Sequence, residues 1–159
     1  MFLVINQGAF TSASLSAITT AILAGKFAAY DGICYDIEEG EAGLSALFQQ
    51  SFAACKSMGL KVFVTVSHSQ PYGIDDAEAL MRSIIADRNV DYLSPQLYTT
   101  GNEPSNDYSV VGTPWTAYAA STARIVPSVV AASYYPDAAR YFATQGVTLT
   151  GYIQWKQNA

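Results

Sequence analysis

The stretch Lys61-Val62-Phe63-Val64-Thr65-Val66 decides the fold. It is apolar and β-branched almost without interruption, the mark of a strand buried on both faces in a helix-covered parallel sheet; an antiparallel sheet with one wet face would alternate. Runs of similar character stand at Phe2–Ile5, Ile33–Ile37, Tyr92–Tyr98, Ile125–Val130 and Tyr152–Trp155, most of them roughly thirty residues apart. Between them lie segments rich in Ala, Leu and Ile at helical spacing: Ser12–Ala24, Ala42–Met58, Asp75–Asp87, Trp115–Thr122 and Pro136–Gln145. Asp75, Asp76 and Glu78 sit where an acidic helix start is expected, and Gly25, Gly59 and Gly146 where helices stop. The long irregular stretch Thr99–Pro114 follows the carboxyl end of a strand, where α/β enzymes carry functional loops. Strand and helix alternation predicts one parallel α/β domain over residues 1–159, either an open doubly wound sheet or part of a (β/α) barrel.

Composition narrows the function. The chain has 159 residues, 50% of them hydrophobic and only 13% charged, so it is built to bury a large core. Eight basic against thirteen acidic residues give a net charge of −5, and no Lys/Arg cluster exists to neutralise a run of phosphates; nucleic acid is not an expected partner. The longest apolar stretches, Leu60–Val66 and Ile125–Ala132, fall well short of the ~20 residues of a membrane helix. Met1–Asn6 lacks the basic and long apolar regions of a secretory signal. Two cysteines, Cys34 and Cys55, are too few for a disulfide scaffold. One falls on an inward strand face and the other on an outer helix, so no bridge between them is expected.

The segment Tyr30-Asp31-Gly32-Ile33-Cys34-Tyr35-Asp36-Ile37-Glu38-Glu39-Gly40 carries the chemistry. Strand alternation puts Cys34, Asp36 and Glu38 on one face, with Ile33, Tyr35 and Ile37 on the other. Two neighbouring carboxylates at the end of a core strand cost several kcal/mol to bury unless paired or protonated. Repulsion and desolvation could hold one of them as a protonated general acid; alternatively both are solvated at the strand end, or cap the next helix.

Asp31-Gly32-Ile33-Cys34-Tyr35-Asp36-Ile37-Glu38 resembles the DGxDxDxE signature on the fourth strand of family-18 glycoside hydrolases, the chitinases and their relatives, closest in type to the plant class III (hevamine-like) members. Other segments match in order. Val4–Phe10 resembles the family's third strand, Lys61–Val66 with Gln70-Pro71 the fifth, Tyr92–Tyr98 with its Gln-x-Tyr pair the sixth, and Gly151–Trp155, ending in tryptophan, the eighth. The first two βα units have no counterpart, and a full barrel needs about 250 residues. The expected fold is therefore a parallel barrel of TIM type truncated to about six strands. Its two open edges, Phe2–Ile5 and Ile153–Trp155, would invite pairing with another copy of the chain.

What the resemblance implies is a chitinase-like enzyme cleaving β-1,4-linked N-acetylglucosamine, with neither metal nor cofactor, and secreted as its relatives are. Glu38 would protonate the leaving oxygen, Asp36 would hold the N-acetyl amide whose carbonyl attacks the anomeric carbon, and Tyr98 would donate a hydrogen bond to that carbonyl. Gln96, Trp155, Cys34 and Asp31 complete the expected substrate-binding set, although Asp31, at the strand's start, also suits backbone bonding. Cys34 replaces the family's middle Asp; a thiol is uncharged at pH 7 and a weak donor, which predicts slow turnover. His68 has no nucleophile in a recognisable motif and no second histidine, and reads as a loop residue near the cleft. Glu39 and Glu41 suit capping or solvation of the following helix, and Tyr72, Tyr134 and Tyr135 could line a sugar cleft. Two other functional classes remain open: a catalytically impaired oligosaccharide-binding protein, and a barrel piece whose site needs a partner.

Overall fold

The computed structural model describes residues 1–5 and 8–156. Strands β1 (Phe2–Ile5), β2 (Gly32–Ile37), β3 (Lys61–Ser67) and β4 (Tyr92–Gln96) alternate with helices α1 (Ser12–Leu23), α2 (Ser45–Ser57) and α3 (Ala77–Ala86). Short strands β5 (Arg124–Ile125) and β6 (Ser128–Val129), helix α4 (Tyr135–Thr144) and strand β7 (Ile153–Gln154) follow. All pairings between these strands are parallel, in the order β1-β2-β3-β4-β6-β7 with β5 also on β4. The sheet curls into a half-barrel with β1 and β7 at its edges, as the strand–helix alternation predicts.

Each face of the sheet has its own chemistry. Ile33, Tyr35 and Ile37 of β2, Val62, Val64 and Val66 of β3 and Leu93 of β4 are fully buried beneath the helices. Tyr35 stacks edge-on against Phe52 at 5.0 Å, and its hydroxyl meets Ser51 Oγ at 2.7 Å and Cys55 Sγ at 3.4 Å. Cys55 thus projects from α2, on the opposite side of the sheet from Cys34, and both thiols are free. On the concave face, Phe2, Phe63 and Tyr92 form a floor of rings 5.8–6.1 Å apart. Gly32 makes room for it, since a Cβ there would stand 2.5 Å from the Phe2 ring.

Three expectations about the elements are corrected. The run Ile125–Val130 is not one strand but two, β5 and β6. β4 bonds its neighbour through Leu93 O, which accepts from Val126 N, and resumes at Leu97 N, which donates to Ser128 O. Pro95 lies midway on the same side of β4 and has no N–H to give across the junction, so the ladder breaks there; Pro127 faces the other way, its carbonyl accepting from Ile153 N of β7 at 2.9 Å. Trp115–Thr122 is a single 3-10 segment, Trp115–Ala120, because Trp115 and Tyr118 must both enter the core and residues three apart eclipse only at three per turn. Glu41 caps α1 rather than α2, accepting from Ser12 N at 2.8 Å. Gly25, Gly59 and Gly146 all stop helices at positive φ, as expected.

Candidate functional site

At the carboxyl ends of the strands the concave face turns polar, because its inward positions there are occupied by Asp36, Thr65, Ser67, Gln96 and Ser128. Asp36 is opposite Thr65 in register, and Gln96 is opposite both Ser67 and Ser128. Gln96 Nε2 donates to Asp36 Oδ1 at 3.4 Å. Glu38 lies just beyond β2, where its carbonyl accepts from Gly73 N at 2.9 Å and so ties its backbone to the turn after β3.

Two adjoining hollows open from this rim, and Glu38, Gln96, Tyr98 and Thr99 line both. The first, of about 200 Å³, adds Asp36, Thr100 and Trp155. The second, of about 340 Å³, adds Ser67, His68 and Tyr72. Beneath the first, a third hollow of about 200 Å³ runs down to Cys34 and Val4. A larger, open hollow of about 500 Å³ lies on the outer face between α2 and the end of α3, away from the carboxylate strand.

Tyr98 is buried, its hydroxyl 3.1 Å from Ser128 Oγ and its ring 5.6 Å from the Trp155 indole. Burial, reinforced by the charges of Asp36 and Glu38 against the opposing Ser128 bond, pushes the phenol up to about 12. Tyr98 therefore keeps its proton and remains a donor across the physiological range. Burial and then Asp36 push the Cys34 thiol up to about 12 as well, so it is neutral beside Asp36. Trp155 is 59% exposed, with one ring edge against Gly101. Gly101 has φ 78°, and no other residue fits: a Cβ would come 2.3 Å from the indole Nε1.

The loop bearing Gly101 is fastened by Glu103, whose Oε1 accepts from Thr99 N at 2.9 Å, Thr100 N at 2.6 Å and Thr100 Oγ1 at 3.0 Å. Against a burial effect that would raise it, these bonds and that of its own N–H hold the Glu103 carboxyl down at about 2.

Of the residues expected at the site, Asp36, Glu38, Gln96, Tyr98 and Trp155 gather around one hollow, with Cys34 directly below. Asp31 does not belong with them. It lies before β2, at the opposite end of the strand, 73% exposed and paired with the Met1 ammonium. The motif spans the whole strand, so its first carboxylate and its last must lie at opposite ends of the barrel. Within the segment likened to a third strand, Asn6 and Gln7 lie outside the described residues. Tyr72 lines the second hollow; Tyr134 packs over the Glu103 loop, with its carbonyl accepting from Asn106 Nδ2 at 2.9 Å, and Tyr135 lies against the Tyr152 ring at 4.9 Å. Thr99 and Thr100 begin the stretch Thr99–Pro114 that the sequence marks as a functional loop, whereas Ser67 is not singled out by any motif, although it stands at the carboxyl end of β3, the position at which α/β sheets place their sites.

Comparison of the chain with family models, with curated proteins and with solved structures finds no match in any of the three.

Proposed function

We propose that the chain is a glycoside hydrolase of chitinase type, cutting β-1,4-linked N-acetylglucosamine with assistance from the substrate's own acetamido group. The observation that carries this reading is the convergence of Asp36, Glu38, Tyr98 and Trp155 on one hollow at the carboxyl end of a parallel half-barrel. Glu38 gives its proton to the glycosidic oxygen while the acetamido carbonyl oxygen attacks the anomeric carbon. The C–O bond breaks and an oxazolinium ion forms. Asp36 faces the positive charge that develops on the amide nitrogen, and Tyr98, permanently protonated, donates to the amide oxygen. The Glu38 carboxylate then takes a proton from water, which attacks the same face and restores the sugar with its configuration retained. Trp155 offers an exposed indole face beneath the ring.

The test is release of the chromophore from a chromogenic chitobioside or chitotrioside. Glu38→Gln should reduce the rate by about 10²–10⁴-fold, the usual worth of a general acid. Equal rates for wild type and variant would remove Glu38 from the mechanism. A second reading, an oligosaccharide-binding protein with an idle site, is favoured by the neutral Cys34 thiol where the family carries a carboxylate. It predicts that the chain binds chitotriose and releases nothing.

A further inference from the structure

We propose that the preferred substrate carries an N-acyl group longer than acetyl, whose carbon chain runs from the site down an apolar groove on the concave face of the sheet. This rests on the glycosidase reading and takes from it the position of the amide, between Asp36 and Tyr98. Those two residues, with Gln96 and Trp155, line both the hollow at the rim and the one of about 200 Å³ beneath it. An amide held by them therefore stands at the mouth that joins the two. With the sugar ring in the upper hollow beside Glu38, the carbon chain of the amide has the lower one to enter.

The lower hollow suits carbon better than water. Val4 of β1, Cys34 of β2 and Phe63 of β3 stand level in the parallel register and form its wall, and Ile153 of β7 lines it from the opposite edge of the sheet. Burial leaves the Cys34 thiol neutral, and a neutral thiol packs as a small hydrophobe, whereas a carboxylate there would have to be stripped of water to admit methylene groups. The hydroxyls of Tyr98 and Ser128 are already turned to each other at 3.1 Å. Phe63 and Ile153 also line the next hollow, of about 210 Å³, so the apolar surface continues to the ring floor of Phe2 and Tyr92. Asp36 and Cys34 are two residues apart on β2, ~7 Å at the rise of a strand, which is the reach of an extended chain of about six carbons. Along this path Val4, Tyr152, Ile153 and Trp155 are between 38% and 59% exposed. A run of uncovered apolar side chains leading away from a polar site is a surface that an acyl chain covers and a sugar hydroxyl does not.

Two p-nitrophenyl chitobiosides test the groove, one natural and one with hexanoyl in place of acetyl on the ring joined to the chromophore. Each buried CH2 is worth about fourfold, so burying two to four of the four added methylenes should raise kcat/KM for the hexanoyl substrate by about 15–250-fold. Val4→Asp and Ile153→Asp each set a charge in the groove wall at a position exposed enough to leave the fold intact, and should lower the hexanoyl-to-acetyl ratio about tenfold. Equal kcat/KM for the two substrates in wild type, or a ratio unmoved in both variants, would overturn the groove. If wild type cleaves neither substrate, the hydrolase reading fails, and calorimetric titration with N-acetylglucosamine and N-hexanoylglucosamine still decides the groove. Tighter binding of the hexanoyl sugar, lost in Val4→Asp, supports it, and equal affinities reject it. Equal affinities together with a dimer in sedimentation equilibrium that the hexanoyl sugar leaves intact would assign the apolar face to a second copy of the chain instead.

Discussion

Gly101→Ala tests the site's architecture most directly. Alanine at φ 78° costs roughly 1–2 kcal/mol in backbone strain. Its Cβ would also stand 2.3 Å from Trp155 Nε1 and 2.6 Å from Cδ1, so the indole must retreat by about 1 Å to reach ordinary contact distance. Gly146→Ala isolates the first effect: φ there is 73°, and a Cβ meets nothing within 4 Å. Both variants should lose about 2–8 °C in Tm, the consequence of the strain for a chain of this length. Only Gly101→Ala should alter the tryptophan fluorescence and near-UV circular dichroism, and only it should weaken chitotriose binding, by about 10–100-fold for a displacement of this size. Isothermal titration of the two variants side by side reads the difference. If Gly101→Ala binds as well as Gly146→Ala, Trp155 is not the floor of a sugar site.

Cys34→Asp restores a carboxylate beside Asp36 and should raise turnover on a chitotrioside about tenfold. Because position 34 is only 8% exposed, Tm should fall at the same time, and unchanged or lower activity would count against the proposed role of the thiol. Tyr35→Phe takes away the hydroxyl that meets buried Ser51 at 2.7 Å and should cost about 1–3 kcal/mol in urea denaturation, with an unaltered midpoint as the contrary result. For Glu103→Gln the prediction concerns pH. The native carboxyl is held at about 2 against an ordinary 4.5, so its stabilisation is complete above pH 4.5 and fades as pH falls towards 2. The Tm difference between wild type and Glu103→Gln should therefore be flat at neutral pH and vanish near pH 2; a constant difference throughout would refute the Glu103 clasp.

The parallel sheet was legible because Val62–Val66 is apolar at every position but Thr65, and the helix ends were legible because Gly25, Gly59 and Gly146 satisfy a purely local backbone demand. The break between β5 and β6 was not. It needs Pro95 to meet its neighbouring strand in a register that only the folded sheet creates. Glu41 likewise reaches an amide 29 residues away, beyond any rule of local capping. At the site, strand periodicity brought Cys34, Asp36 and Glu38 to one face without help from the fold, and the same geometry explains why Asp31 had to be discarded. His68 was placed beside the cleft, but its part in the wall depends on Ser69 and Gln70 being anchored to residues 111–113, a long-range constraint that leaves no periodic trace.

The packed rings of Phe2, Phe63 and Tyr92 over Gly32 occupy the concave face toward the amino ends of the strands. Load-carrying and recognition are thereby divided along the strand direction. The turns at 67–73 and 99–109 can be rewritten while the aromatic base and the helices behind it go on specifying the same scaffold, which makes this small chain a natural starting point for grafted specificity.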